Sequence, residues 1–198
     1  MGGCIDRIET LTEARRGEAI EVLANAFHNH PMLPPDPTGR RSHLMAVTIL
    51  DAFAGAPDAR LLGISGDDEL ACVAFVFTDG YEPDGLASAW FLWRMVRVVG
   101  LRMCRTMMRM MSEKRSSDER RLELMLLGTR SNYQGQGLGR AMLRHLFDFA
   151  REQGYASVVL EAPKQTPAFR LYLSEGFEVE KEISLPAMPL CMMRRPLD

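Results

Sequence analysis

The sequence has no uninterrupted apolar run of about 18 residues, the length that a membrane-spanning helix needs. It also has little net charge, because 24 basic and 26 acidic residues leave a formal charge of -2. We therefore expect no membrane span and no attraction of the whole molecule to nucleic acid. Residues 1–9 include Asp6 and Glu9, acids where a secretory signal requires an apolar core, so a cytoplasmic location is expected.

Cysteine and histidine are scarce, with four residues of each. Neither a Cys-x-x-Cys pair nor a His-Glu-x-x-His pattern occurs, which argues against zinc-binding and thioredoxin-type motifs. We therefore predict no metal site, and free thiols in a reducing compartment. The cysteines are Cys4, Cys72, Cys104 and Cys191, and the histidines are His28, His30, His43 and His145.

Length and composition are those of an ordinary globular chain: 198 residues, of which 46% are hydrophobic and 25% charged. A chain of this size can bury roughly 70% of its unfolded surface without disulfide staples. Such a composition excludes an intrinsically disordered chain. We predict a single domain that spans residues 1–198.

Apolar periodicity and turn residues predict an α/β (α+β) chain. An N-terminal edge strand, residues 4–11, precedes a helix that Thr12 caps and that ends before Pro31. A Pro-rich loop at 31–37 leads to a second helix over residues 44–53. The other predicted elements are strands 60–65 and 70–78 around a turn at 65–69, helix 86–111, connector 114–121, strand 122–129, helix 137–153, strand 158–161, helix 168–174, and antiparallel strands 177–183 and 188–193.

The helix predicted over residues 86–111 has an unusual composition, rich in methionine and arginine. At 100° per residue, five arginines cluster on one side of the helical wheel, while Trp93, Val96 and three methionines fall on the other. Three interpretations stay open: an amphipathic cover for the sheet with solvated arginines, a lining of methionines for an adaptable pocket, or a cationic surface for a membrane or nucleic acid. The arginines are Arg94, Arg97, Arg102, Arg105 and Arg109, and the methionines Met103, Met107 and Met111.

The most informative segment is the turn between strand 122–129 and the next helix, which contains Gly135, Gly137 and Gly139. Glycines at alternate positions leave backbone N–H groups unshielded, and a helix N-terminus adds partial positive charge. Such a turn is suited to bind a phosphate or pyrophosphate.

Phosphate-binding motifs of known type differ in their spacing. A Walker A loop requires Lys and then Ser or Thr after its last glycine, but Arg140 and Ala141 follow Gly139. A Rossmann fingerprint that opened with Gly135 and Gly137 would need glycine at position 140, and it belongs to repeated βαβ units, which this chain lacks. A merely tight turn does not explain why three glycines and Gln134 occur together.

A third interpretation is a family resemblance. Gln134-x-x-Gly137-x-Gly139 resembles the acyl-CoA signature Gln/Arg-x-x-Gly-x-Gly/Ala of the GNAT N-acetyltransferase superfamily. The strand Val158-Val159-Leu160-Glu161-Ala162 follows, and residues 168–177 are similar to the family's Ala-x-x-x-Tyr-x-x-x-Gly-Phe. The order and the intervals match over about residues 120–195.

The resemblance implies a twisted mixed sheet that is split into a V between the strands ending near Thr129 and beginning near Val158. Acetyl-CoA would lie in this V as the co-substrate, with no metal involved. The expected cofactor-binding residues are Leu127, Gly128 and Thr129 for pantetheine, and Gln134, Gly135, Gln136, Gly137, Leu138, Gly139 and Arg140 for the pyrophosphate. Arg140 and Arg144 are further available for charge neutralisation.

Two residues match the family's proton-transfer positions. Glu123, six residues before Thr129, corresponds to the general base of some members, and the alternative is a carboxylate that points to solvent on an alternating strand. Tyr172 corresponds to the general acid that protonates the CoA thiolate, and the alternative is an aromatic packed against Phe169 or Phe177. The thioester oxyanion would be held by a backbone N–H near Leu127.

The chain departs from the family pattern at two positions. Thr166, also an expected cofactor-binding residue, stands where many members carry Asn, so the expected amide contact to pantetheine is weakened there. Ser131 replaces a common Pro, which affects only the shape of the loop.

The resemblance therefore implies an enzyme that transfers acetyl from acetyl-CoA to a primary amine by direct attack. The pattern of the C-terminal half is most similar to the small-molecule branch, including puromycin-type antibiotic acetyltransferases. A protein or peptide N-acetyltransferase and a non-catalytic acyl-CoA-binding regulatory module are the alternatives. No nucleic-acid partner is expected, and a homodimer is compatible with the sequence.

Overall fold

The computed structural model describes residues 8–66, 69–81, 84–105, 119–185 and 189–197. Within these ranges the strands are β1 (Glu9–Thr10), β2 (Arg60–Gly66), β3 (Glu69–Thr78), β4 (Arg121–Thr129), β5 (Ser157–Pro163), β6 (Glu178–Ser184) and β7 (Pro189–Pro196). The helices are α1 (Arg16–Ala26), α2 (Arg40–Phe53), α3 (Gly85–Val99), α4 (Leu138–Glu152) and α5 (Pro167–Ser174).

The strands form one seven-stranded mixed sheet in the order β1-β2-β3-β4-β5-β7-β6. Strands β1 to β4 are antiparallel, β4 and β5 are parallel, and β7 lies between β5 and β6. The parallel step requires a crossover, which α4 supplies. The mixed sheet flanked by helices and the α/β class are therefore as predicted.

Helices cover both faces of the sheet, and alternate side chains of each strand serve the two layers. One face packs against α4 and α5 and includes Leu122 and Leu124 of β4. The other packs against α1, α2 and α3 and includes Phe75 and Phe77 of β3. We refer to these as the α4 face and the α1 face.

A β-bulge in β4 reverses the alternation of its side chains between the two faces of the sheet. The register slips between Phe75 and Val76, which pair with Leu126 and Leu124, so Met125 is the extra residue. As a result Leu126 packs on the α1 face although Leu124 packs on the α4 face. The bulge bends the half of β4 that leads to the glycine turn.

The split in the sheet lies between β4 and β5. These strands pair only from Arg121 and Ser157 to Glu123 and Val159, after which no further pairing joins them. Beyond this point the strands diverge toward Thr129 and Pro163. The apex of the predicted V is therefore at Glu123 and Val159, and its open end is at the glycine turn.

Most predicted elements are present, with shifted ends. Helix 86–111 is not continuous, because α3 ends at Val99 and Gly100 has φ +84, which a right-handed helix does not allow. Residues 101–105 are helical again, while positions 106–111 lie outside the described residues, as do positions 4–7 of the first predicted strand. Thr12 makes no side-chain capping bond, and α1 ends at Ala26.

Two further observations concern the described part of the chain. None of its helices is both long and apolar enough to cross a bilayer. Its cysteines, Cys72, Cys104 and Cys191, are free and buried. Cys4 lies outside the described residues.

Candidate functional site: a glycine turn at the open end of a split sheet

The turn that follows β4 has the positive backbone φ angles that its glycines predict. Gly135 and Gly137 have φ of +77 and +85, values that side chains with a Cβ rarely adopt. A Cβ built on either residue would meet no atom within 4 Å, so an open space lies in front of the turn. Gly137 is the N-cap of α4, whose first N–H groups have no carbonyl partner within the helix. This space beside unpaired donors fits an anionic phosphate.

Hydrogen bonds from within the loop hold the turn in place. The Gln134 side chain donates from Nε2 to the Thr129 carbonyl at 3.0 Å, and Gln136 donates to the Asn132 carbonyl at 3.2 Å. Tyr133 donates its hydroxyl to the Gly66 carbonyl at 2.9 Å. The two glutamines therefore shape the loop through their side chains. The Gln134 N–H donates to the Ser131 carbonyl at 3.4 Å, so the N–H groups left for a ligand begin at Gly135.

The third glycine has a different role. A Cβ on Gly139 would lie 3.3 Å from Leu171 Cδ2, so this glycine allows α4 and α5 to approach closely. Leu138 is buried and anchors the first turn of α4 in the core. These two residues position the turn through packing.

The arginines of α4 are engaged with a nearly buried carboxylate. Arg140 Nε lies 2.7 Å from Glu175 Oε1, and Arg144 Nε lies 3.3 Å from Glu175 Oε2. The Glu175 side chain is only 8% exposed. Both arginines share this one carboxylate and their side chains remain 49% and 66% exposed, so the pair keeps a net positive charge and its role in neutralising a phosphate stays a prediction.

The last residues of β4 border the V. Gly128 lacks a side chain for a packing reason, because a Cβ there would lie 2.9 Å from Ala26 Cβ on α1. Thr129 donates its hydroxyl to Cys72 Sγ at 3.3 Å, and Leu127 packs on the α4 face. Leu127 and Thr129 are half-buried, and Gly128 offers only its backbone to a ligand in the V.

Thr166 caps α5. Its hydroxyl accepts from Phe169 N at 3.1 Å and donates to the Pro163 carbonyl at 2.9 Å, so its one donor is already used. The preceding residue, Gln165, is exposed and has φ +67, an uncommon value for a residue with a Cβ. The exposed side-chain amide at this turn is therefore that of Gln165, next to the position where the family's Asn was expected.

Tyr172 lies on α5 within the α4-face core. It is 7% exposed and packs edge-on against Phe177, with ring centroids 5.6 Å apart. Burial raises the pKa of its phenol well above the ordinary value, and the Cys72 thiol contributes to the same shift. Cys72, which pairs with Thr129, the last residue of β4, belongs to the same buried cluster as Tyr172. The phenol keeps its proton at neutral pH and can act as a donor.

Glu123 lies at the apex of the V and is 7% exposed, so it does not point to solvent. It pairs with Phe77, whose side chain belongs to the α1 face, whereas Leu122 and Leu124 belong to the α4 face. The Glu123 carboxylate is therefore on the face opposite Tyr172. The two candidate proton-transfer groups approach the V from opposite sides of the sheet.

A family model described as the acetyltransferase (GNAT) family matches residues 49–177 of the chain. This range includes the split strands, the glycine turn and Tyr172, and it amounts to well over half of the sequence. The chain belongs to the GNAT acetyltransferase family.

Curated relatives match a shorter stretch of the chain. N-acetyltransferase 8F1 of Rattus norvegicus is 43% identical over 63 residues, which cover 31% of this chain and 28% of that protein. The match thus extends over less than a third of the relative's length.

Solved structures show the same fold over the whole chain. A structure described as histone acetyltransferase HPA2 and related acetyltransferase from Corynebacterium glutamicum has a TM-score of 0.71 at 21% identity and covers 98% of both chains. Arylalkylamine N-acetyltransferase 2 from Aedes aegypti has a TM-score of 0.63 at 16% identity, and the match covers 97% of this chain and 99% of that one. At these identities the likeness establishes the GNAT fold.

Three residues near the GNAT site were missed from the sequence: Cys72, Gln165 and Glu175. Cys72 and Glu175 gain their significance only through partners that are distant in the chain. Gln165 had a usable signal, since it precedes a Thr-Pro pair of the kind that opens a helix. Within the described residues, no group of three or more His, Cys, Asp or Glu side chains could hold a metal ion.

Proposed function

We propose that this GNAT chain transfers an acetyl group from acetyl-CoA to the primary amine of a small molecule, by direct attack of the amine. The observation that carries the proposal is the V, which is open beside the glycine turn and flanked by Tyr172 on one face and Glu123 on the other. Acetyl-CoA would supply the activated acyl thioester. The protein's own groups would bind, orient and exchange protons.

The cofactor would be held mainly by backbone. The turn from Gln134 to Arg140 borders the open space, and its N–H groups from Gly135 onward suit the pyrophosphate. Leu127, Gly128 and Thr129 lie beyond the last β4 to β5 pair, so their outer edge is available to the amide chain of pantetheine. The exposed Gln165 amide is better placed than the Thr166 hydroxyl for a side-chain contact, because Thr166 uses its donor as a helix cap.

Acetyl transfer needs two proton movements. An ammonium group must lose a proton before its nitrogen has a lone pair, and the leaving thiolate must gain one. Glu123 is the acceptor on the α1 face, and Tyr172 is the donor on the α4 face. The two groups lie on opposite faces of the sheet, so each would act from its own side of the V.

The acceptor would approach along the α1 face. Beyond Glu123 this face carries an apolar cluster in which Met32 and Met103 pack against Leu185 and Leu190. Methionines adapt to ligands of varied shape, which favours a bulky apolar amine over an extended peptide. His30, beside Met32, has its pKa lowered by burial to about 4, so at neutral pH it carries no charge that would repel a cationic amine.

Acetyl transfer is tested by thiol release from acetyl-CoA with a panel of acceptors. The panel contains arylalkyl and aliphatic amines, peptides with a free N-terminus, and lysine-containing peptides. We expect turnover with amines that carry a bulky apolar group. Turnover confined to peptides would replace the small-molecule proposal, and acetyl-CoA binding without any turnover would indicate a regulatory module.

We predict that Glu123→Gln lowers kcat/KM for the amine, with a defect that shrinks as the pH rises. The reason is that the free amine becomes abundant at high pH and then needs no base. The measurement is a pH series of initial rates, with Glu152→Gln, the exposed last residue of α4, as the control. A defect of equal size at every pH would contradict the base role.

We predict that Met103→Ala raises the KM for an apolar amine about threefold to tenfold and leaves the KM for acetyl-CoA within about twofold. The matched control is Met95→Ala, which removes a buried methionine of α3 outside the cluster with Leu185 and Leu190. This control should lose thermal stability without changing either constant. If Met103→Ala behaves in the same way, the cluster is only core packing. Met107, the other methionine expected here, lies outside the described residues.

A further inference from the structure

Helix α3 presents aromatic and aliphatic side chains to solvent. Six large hydrophobic residues of the described chain are exposed, and four of them belong to this segment: Leu86 at 89%, Trp90 at 40%, Trp93 at 58% and Leu101 at 62%. Leu86, Trp90, Trp93 and Arg97 recur at helical spacing, and Leu101 follows just beyond the end of the helix. We call these five residues the tryptophan stripe. Trp93 was expected on the side of the helix opposite the arginines, and that expectation is wrong.

Arginines accompany the stripe and stack on its rings. The Arg94 guanidinium lies 4.5 Å from the centroid of the Trp90 ring, and that of Arg97 lies 4.9 Å from Trp93. Together with Leu44 of α2 these four residues line a shallow groove of about 390 Å³. Arg94 is anchored to Asp51 on α2 at 3.3 Å, so the groove is part of the folded helix pair.

The charge within residues 85–105 has one sign, and Asp51 on α2 offsets only Arg94. No acidic residue occurs from position 85 to position 105, whereas arginines stand at 94, 97, 102 and 105. Helices that lie at a membrane interface have this composition, with tryptophan and leucine interleaved with arginine. The rings enter the headgroup region, and the guanidinium groups remain with the lipid phosphates.

We propose that the tryptophan stripe docks on the surface of an anionic lipid bilayer, with α3 lying in the plane of the interface. A bilayer requires no complementary shape, so a narrow line of side chains is sufficient for binding. The positive charge of the segment is complementary to acidic headgroups. The proposal does not depend on the acetyl-transfer reaction.

Other occupants fit the stripe less well. A second copy of the chain on the same face would bring the two arginine rows together, with no carboxylate between positions 85 and 105 to separate them. A nucleic acid would use the arginines and the rings, but the exposed side chains of Leu86 and Leu101 would find nothing to contact.

The test exploits the tryptophans, because Trp90 and Trp93 are the two tryptophans of the sequence. Intrinsic fluorescence therefore reports only on the stripe. Vesicles of phosphatidylcholine with 30% phosphatidylserine should shift the emission to shorter wavelength, brominated lipid should quench it, and added salt should reverse the change. Vesicles of pure phosphatidylcholine should bind at least about tenfold more weakly, because several arginines each contribute about a factor of five.

Matched variants identify the surface by vesicle sedimentation. Arg97→Glu and the double variant Trp90→Ala with Trp93→Ala should each lower partitioning by about tenfold or more. Arg151→Glu on α4 and Val179→Ala on β6, an exposed arginine and an exposed apolar residue elsewhere, should bind like the parent chain. Thermal melting checks that all four variants are folded.

The proposal is overturned if acidic vesicles produce no spectral shift, or if the stripe and control variants sediment equally. It is also overturned if lipid leaves the fluorescence unchanged while a single-stranded oligonucleotide changes it. The same holds if the fluorescence changes only with self-association, which light scattering detects. Acetyl-CoA turnover is measured separately, so failure of membrane docking does not count against the proposed reaction.

Discussion

Tyr172→Phe is expected to lower turnover by on the order of 10²-fold while acetyl-CoA affinity stays nearly unchanged. The substitution removes only the hydroxyl, so the ring keeps its contact with Phe177 in the core. The substitution removes the phenol proton, which burial keeps bound by raising the pKa. In the proposed reaction this proton passes to the leaving thiolate. Initial rates and calorimetric binding of acetyl-CoA measure the two quantities independently.

Tyr155→Phe is a matched control for this prediction. Tyr155 is also buried, and burial together with its hydrogen bond to Asp58 raises its pKa, but its hydroxyl donates to Asp58 at 2.6 Å and lies 2.7 Å from that of Thr78. Its removal should lower stability by about 1 kcal/mol and leave turnover unchanged. Equal losses of binding and rate in Tyr172→Phe would instead identify Tyr172 as a packing residue.

Gly137→Glu is expected to weaken acetyl-CoA binding by on the order of 10²-fold or more, because the side chain would enter the open space before α4 with a negative charge. In the free protein the new Cβ meets no atom within 4 Å, so any strain comes from the positive φ alone. Isothermal calorimetry with acetyl-CoA gives the affinity.

The chain provides a closely matched control in Gly154→Glu. Gly154 has φ +72 and also has nothing within 4 Å of an added Cβ, but it lies beyond the opposite end of α4. Both variants therefore carry the same charge change and similar backbone strain. If the two lose acetyl-CoA affinity equally, the turn at Gly137 is not the phosphate site and the proposed binding mode is wrong.

The sequence by itself determined the features that depend on neighbouring residues. Three alternating glycines after a strand predicted an open turn, and Gly135 and Gly137 have the positive φ that such a turn requires. The apolar period of α4 was likewise readable, because helix periodicity is a property of short segments. The tyrosine motif and the signature strand then placed Tyr172 and Glu123 as candidates.

The tertiary structure alone decided how distant segments meet. The insertion of β7 between β5 and β6, the apex of the V at Glu123 and the clamp of Glu175 on Arg140 and Arg144 join residues far apart in the chain. No local pattern encodes such pairings, since each depends on which surfaces the folded layers bring together. From the sequence, Trp93 was placed opposite the arginines, although Trp93 and Arg97 are four residues apart on one helix and their stacking follows from that spacing. Only the packing of α3 on α2 decided which face of α3 is exposed.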